Sequence, residues 1–353
     1  RKAQPAHPIR MLGADHLEDE FIGHGGPRGR REPAPISVWA GCLVGDSGLP
    51  KMLGGLPGGG LRDTLGPWSE AMFRLFAVTP AGAERLRPPA HIQDVSSALH
   101  GPGAAVYTAL RTRDHDRFNR LDLHLERLAA HASCVGILEP LHRAELRSAL
   151  RSACAQWPEP EARVRIDVRA AALPHLSTDA RVLLALSTFS EVAPTLLAHG
   201  VSVASAPGAA RTAPAQKRSD WVARRLELSH DPEAYEHVLL DAEGGVLEGF
   251  TSNIHLLADG GLYSPESDVL QGITRRLLLE VVGQMGVPVV RRPLPLSRVG
   301  GLREAFLSSS MRGVVPIVRF DGQRVGDGRP GPVTRAVMAR LARRLREEAC
   351  PAA

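Results

Sequence analysis

Lysine is scarce in this chain: only Lys2, Lys51 and Lys217 are present, although Lys and Arg together number 43. A reaction that needs a neutral side-chain amine therefore has few candidates, because an arginine does not give up its proton in a protein. Lys217 stands in Pro214-Ala-Gln-Lys-Arg-Ser-Asp-Trp221, beside Arg218. A neighbouring cation favours the unprotonated amine. Downstream, Glu248 opens the nearly apolar run Glu-Gly-Phe-Thr-Ser-Asn253. Gln271-Gly-Ile-Thr-Arg275 reads as a helix start, where backbone N–H groups suit an anion. Phe306-Leu-Ser-Ser-Ser-Met311 offers hydroxyls at a strand end, and Arg127 in His124-Leu-Glu-Arg-Leu128 offers a forked cation for phosphate. An amine, a carboxylate and an anion cradle are together the equipment for Schiff-base chemistry on a phosphorylated cofactor.

Pyridoxal 5'-phosphate needs that set: an amine for the Schiff base, a carboxylate against its ring nitrogen, and several donors for its phosphate. The run Glu248–Asn253, followed by Leu262-Tyr-Ser-Pro265 and Leu270-Gln-Gly-Ile-Thr-Arg275, resembles the signature of class IV pyridoxal-phosphate enzymes. That family includes branched-chain and D-amino-acid aminotransferases and 4-amino-4-deoxychorismate lyase. The resemblance runs from about Gly101 to Gly331. It implies an α/β (α+β) architecture of fold-type IV, with the cofactor in a cleft between a small and a larger domain. It implies Lys217 as the Schiff-base lysine and proton carrier, and Glu248 as the partner of the ring nitrogen. Arg127, Ile273, Thr274 and Ser310 would hold the phosphate. Tyr107, Arg165, Ser309 and Met311 fall where family members hold the substrate.

The activity so implied is amino-group transfer between an amino acid and a 2-oxo acid. The alternatives are the lyase, which turns aminodeoxychorismate into 4-aminobenzoate and pyruvate, and a non-catalytic member. The resemblance also implies a homodimer. Three positions depart from the family pattern. Trp221 stands where branched-chain enzymes place a tyrosine, Thr108 where they place a glutamate, and Ala170 where a glycine usually follows the small-domain arginine. These departures lean toward the lyase or D-amino-acid branches.

The elements that must position these residues follow from hydrophobic periodicity. Asp122 is expected to cap a helix presenting Leu121, Leu125, Leu128 and Ala132 on one face, and a second helix covers about 144–157. Residues 163–169 alternate strictly and predict a strand with one buried face, Val164, Ile166 and Val168. A helix is expected over about 217–228, another over 274–285, and a last one over 332–348 whose basic residues 335–346 form a solvated face. Strands are expected at 181–187, 201–205, 237–241, 246–248, 253–257, 287–290, 305–308 and 315–320, with Asp259-Gly-Gly261 as a hairpin turn. The division expected is a poorly ordered extension over 1–71, a small α+β domain over 72–190, a connection over 191–198, a larger domain over 199–348 and a tail over 349–353.

Composition narrows the rest. The net charge of +5 comes from 43 basic and 38 acidic residues that are interspersed, so no nucleic-acid surface is expected. Cys42, Cys134, Cys154 and Cys350 form no CxxC pair, which argues against a zinc site or a disulfide framework. Asp114-His-Asp116 reads as a solvent-facing turn rather than a metal site, and His124 and His131 as structural. The Gly-rich run 54–60 lacks the phosphate-loop pattern. No apolar run approaches the roughly 18 residues of a membrane span, and no signal peptide is evident. The expectation is a cytoplasmic enzyme of small-molecule substrates, with no metal, no membrane and no nucleic acid.

Overall fold

The computed structural model describes residues 73–137, 141–228 and 231–352. The expected extension, with Lys2, Lys51, Cys42 and the Gly-rich run, lies outside the described residues.

The first part of the described chain carries β1 (Phe73–Thr79), β2 (Gly82–Leu86), α1 (Val95–Ala98), β3 (Ala105–Arg111), β4 (Arg117–Asn119), α2 (Leu121–Cys134), α3 (Arg143–Ala155), β5 (Ala162–Arg169) and β6 (Val182–Thr188). Five of these strands form an antiparallel sheet in the order β2-β1-β6-β5-β3. One of its faces, with Val106, Leu110, Val164, Ile166 and Leu184, packs on Leu125 and Leu128 of α2 and Leu146 and Leu150 of α3. Part of the opposite face is covered by Ala98, Leu99, Leu173 and Leu176.

The remainder carries α4 (Pro194–His199), β7 (Val201–Ser205), α5 (Asp220–Leu228), β8 (Glu236–Leu240), β9 (Gly245–Gly249), β10 (Asn253–Ala258), β11 (Gly261–Tyr263), α6 (Ile273–Gln284), β12 (Val289–Val290), β13 (Leu294–Pro295), β14 (Glu304–Ser309), β15 (Gly313–Phe320), β16 (Gln323–Arg324), α7 (Pro332–Glu347) and β17 (Ala349–Pro351). A ten-stranded sheet runs β12-β11-β10-β14-β15-β7-β8-β9-β13, with β16 on β15. An extra pairing of β9 with β10, Asn253 opposite Glu248, closes six of its strands into a ring, β10-β14-β15-β7-β8-β9. Alternate residues of those strands, among them Val203, Val238, Ile254, Leu307 and Ile317, form one core cluster. The opposite face, with Leu257, Phe306 and Val314, packs on α6 and α7.

Four expectations are corrected. Asp122 is not the cap of α2: Arg120 occupies that position with φ 51° and ψ 43°, and no side chain bonds the free N–H groups. The tight turn out of β4 needs a left-handed residue there. Asp122 lies in the first turn, where its charge still suits the helix dipole, and pairs with Arg147. Second, β5 is buried on both faces. Arg165, Asp167 and Arg169, which alternate with its apolar residues, are all buried, because Asp167 lies between the two arginines and pairs with both. Third, the helix after Lys217 begins at Asp220. Residues 217–219 are extended and pair with β3: Tyr107 N–H donates to the Lys217 carbonyl, and Ser219 N–H to that of Ala105, both at 2.9 Å. Fourth, within the expected tail Ala349–Pro351 form a strand. β17 pairs antiparallel with β4 in three rungs. Arg117 donates to the Ala349 carbonyl, Asn119 to that of Leu345, and Ala352 N–H to that of Asp116.

The chain end is thus a strap between the last helix and the strand that feeds α2. Deletion of residues 349–353 is expected to lower the unfolding midpoint by about 2 °C, the shift that ~1 kcal/mol gives at the upper end of a ~150–250-residue range. A thermal melt followed by circular dichroism checks this, and an unchanged midpoint contradicts the strap.

Candidate active site

A cavity of about 460 Å³ opens beside the closure of the ring. Nine of the ten residues singled out from sequence line it: Lys217, Glu248, Arg127, Ile273, Thr274, Ser309, Ser310, Met311 and Tyr107. Arg165 does not. It is buried behind Tyr107, its guanidinium carbon 4.2 Å from the ring centre, and pairs with Asp167.

Lys217 is the sole lysine among the described residues. Its backbone is fixed twice, through its carbonyl to Tyr107 and through its N–H to His131 Nδ1 at 3.1 Å. Its Nζ stands 4.8 Å from the centre of the Tyr107 ring. Burial holds its amine below the usual lysine range; Arg127 and Arg211 push the same way, while Tyr107 and Glu248 oppose them. The lowering brings the neutral amine, the form that attacks a carbonyl, within easier reach. Burial would raise the Tyr107 phenol, but Lys217, Arg165, Arg225 and Arg211 outweigh it and bring it down to about 8.

Glu248 sits where β9 meets β10 and is 2% exposed. Burial raises its pKa, and Arg211 opposes that shift. Arg211 Nη1 reaches Oε1 at 2.5 Å, while Asn253 Nδ2 and the Leu270 N–H reach Oε2 at 3.2 and 3.1 Å. An ionised carboxylate accepts about four hydrogen bonds. Three are made, so one acceptor position remains for a donor in the cavity.

The opposite end is an anion cradle. Helix α6 starts at Ile273 with Gly272 as N-cap and no side-chain cap, leaving its first N–H groups for another acceptor. A Cβ on Gly272 would collide with Asn253 Oδ1, so the close approach there requires glycine. Thr274 and Ser310 hydroxyls lie 3.2 Å apart. Arg127 donates to the Gln271 carbonyl at 3.0 Å and to Thr108 Oγ1 at 3.2 Å. Thr108 in turn contacts His124 Nδ1 at 2.7 Å. Burial and Arg211 lower the Arg127 pKa to about 10, with Tyr107 opposing, so it stays a cation near neutrality. A single face of α2 therefore presents Arg127 to the cradle and His131 to Lys217.

Sequence reasoning missed four arginines of this cavity: Arg163, Arg211, Arg225 and Arg312. Arg211 holds Glu248. Arg312 joins two turns: its Nη2 meets buried Glu236 at 2.8 Å and Thr251 Oγ1 at 2.6 Å, and its Nε meets Ser309 Oγ at 3.3 Å. Arg163, on β5, lines the cavity, and its side chain has no hydrogen bond or ion pair among the described residues. With Arg127 and Arg225, five arginines line the cavity around one carboxylate, Glu248. Such a chamber attracts anions. Trp221 lines it too, but its Nε1–H is committed to the Phe250 carbonyl at 2.8 Å.

Elsewhere, Asp114 and His115 have φ of 45° and 70°, a tight left-handed turn. Among the described residues no group of three or more His, Cys, Asp or Glu could hold a metal ion, and no helix is long and apolar enough to cross a membrane.

The cavity thus gathers a buried lysine, a buried carboxylate and an uncapped helix start. The chain belongs to the amino-transferase class IV family, whose model matches residues 105–320. It is 39% identical over 102 residues to the branched-chain-amino-acid aminotransferase of Pseudomonas aeruginosa, a match covering 29% of this chain and 33% of that protein. Over 108 residues it is 34% identical to the D-alanine aminotransferase of Listeria monocytogenes, covering 30% and 37%. The matched segments thus span about a third of these relatives. The fold is shared over more of the chain. The T.th. branched-chain amino acid aminotransferase with pyridoxamine 5'-phosphate superposes with a TM-score of 0.66 at 21% identity, over 78% of this chain and 95% of that one. The Escherichia coli branched-chain enzyme gives 0.62 at 21% identity, over 78% and 95%.

Three histidines are held neutral by their surroundings. Burial and then Arg127, Lys217 and Arg211 lower His131 to about 4. Burial, Arg127 and Lys217 lower His124 well below its usual value, and burial and Arg275 lower His255 to about 3. In the unfolded chain each takes up a proton near pH 6.5. Their contribution to stability is therefore complete above that pH and is lost as pH falls from 6.5 toward 4 and below. Denaturant titrations at pH 7.5 and 5 are expected to show lower stability at pH 5, and less of a fall in His131→Gln. Equal loss in the variant and the parent would contradict the role of His131.

Proposed function

We propose that this protein is an aminotransferase that moves an amino group between an amino acid and a 2-oxo acid, using pyridoxal 5'-phosphate held through Lys217. One observation carries the reading: a buried neutral-leaning lysine and a carboxylate with one acceptor position left share a single cavity with an uncapped helix start. The donor set fits the cofactor. Lys217 would hold its carbonyl carbon, Glu248 its ring N–H, and Arg127, Thr274, Ser310 and the N–H groups of Ile273 and Thr274 its phosphate. When bound, the cofactor supplies an electron sink for a carbanion at the substrate Cα.

The chain's own residues do the rest. Lys217, as a free base, would take the proton from the substrate Cα. Glu248, whose charge Arg211 and the Leu270 N–H favour, would hold a proton on the ring nitrogen. Arg163 and the turn Ser309–Met311, fixed by Arg312, face the substrate side and suit its carboxylate. Tyr107, backed by Arg165, packs beside the lysine. The homodimer that the family resemblance implies, and a cytoplasmic location, are part of this proposal.

Wild-type protein incubated with pyridoxal 5'-phosphate is expected to show a visible absorbance band that an amino donor bleaches and a 2-oxo acid restores. Lys217→Ala is expected to lose the band and the turnover. A band in that variant equal to the parent's would sink the assignment. Formation of 4-aminobenzoate from aminodeoxychorismate, with no response to any donor, would replace transamination by the lyase reaction.

Arg127→Met removes a charge-assisted bond to phosphate, worth ~1.5–3 kcal/mol. Cofactor affinity is expected to fall at least ~10-fold, measured by fluorescence titration of the apoprotein. An unchanged affinity would remove Arg127 from the cradle.

A further inference from the structure

The guanidinium of Arg211 stands between the two groups that define the cavity. Its Nη1 donates to Glu248 Oε1 at 2.5 Å, and its Nη2 donates to the Gln216 carbonyl at 2.7 Å. Gln216 immediately precedes Lys217. The guanidinium carbon lies 5.5 Å from the centre of the Trp221 ring, and that indole is pinned by its own bond to Phe250. The Arg211 side chain is 7% exposed, so water does not compete for these contacts.

We infer that Arg211 is a positioning residue: one planar cation, spanning Glu248 and the backbone before Lys217, fixes how far apart the Glu248 carboxylate and the Lys217 amine stand. The inference rests on the reading of this cavity as the cofactor site. Two physical demands meet in it. A buried carboxylate unaided would take up a proton, and then could not keep a proton on a ring nitrogen. The lysine, for its part, enters the cavity from an extended segment, not from the rigid frame of a helix. A lysine at 211 would return the charge, but a point cation cannot hold both partners in a fixed geometry as a fork does. Arg211 touches no reacting atom in this scheme. It acts through Glu248 and Lys217.

Arg211→Gln and Arg211→Lys test this with three readouts: thermal melts, titration of the apoprotein with pyridoxal 5'-phosphate, and the pH midpoint of the cofactor–lysine absorbance band. In Arg211→Gln, cofactor uptake is expected to weaken at least ~10-fold. The pH midpoint is expected to rise by about one unit, because a cation beside the lysine nitrogen is gone. The kcat is expected to fall with KM little changed. In Arg211→Lys the midpoint is expected to return part-way, while kcat stays low because the bridge is not rebuilt. A folded Arg211→Gln with parental uptake and midpoint would overturn the inference. If Arg211→Gln does not fold, Arg211→Lys decides: parental midpoint and kcat in it would overturn the bridge. Parent protein that takes up no cofactor defeats the functional reading itself, and this inference with it. Parent protein that takes it up beside unaffected variants defeats this inference alone.

Discussion

The site depends on an electrostatic compromise: under the proposed function one buried space must serve an amine that reacts when neutral and a carboxylate that works when ionised. Burial alone pushes both groups toward neutrality. Arginines resolve the conflict, because they keep their charge where other groups give it up. Arg127 and Arg211 disfavour a third positive charge on Lys217, and Arg211 favours the negative charge on Glu248. The same surplus of cations awaits the anionic parts of a cofactor and a substrate.

The fold supplies this arrangement by closing a ring. Glu248 and Asn253 are the register pair at which β9 and β10 meet, so the carboxylate is placed by backbone pairing. Asn253 serves twice more, bonding Glu248 Oε2 and the Leu270 carbonyl just before α6. The carboxylate end and the cradle end are thereby built from one short stretch of chain. The other wall comes from α2 and β3, whose His131 and Tyr107 hold the backbone at Lys217. The strap at the chain end ties α7 to the strand that leads into α2.

Much of this could be read in the sequence. Lys217, Glu248 and the helix start at Ile273 stood out because each sits in an unusual local setting. Arg211 did not. It lies 37 residues before Glu248, in a loop, among many arginines, and only the ring closure brings the two together. Arg163 and Arg312 were hidden in the same way. The polar face of β5 misled for a different reason. Arg-x-Arg-x-Asp-x-Arg alternates as a solvent-facing strand does, and nothing local reveals that its charges neutralise one another under the 217–219 segment. The start of α5 was placed three residues early, because a strand-like pairing with β3 overrides helical periodicity. Asp122, a good cap by type, lost that position to the left-handed turn at Arg120.

The central claim is that the single described lysine holds the cofactor in the cavity it shares with Glu248. Borohydride reduction of the protein loaded with pyridoxal 5'-phosphate, followed by peptide mass mapping, addresses it directly. The account predicts one phosphopyridoxyl group per chain, on the peptide that contains Lys217. A modification on Lys2 or Lys51 with Lys217 unmodified, or no modification at all, would contradict it.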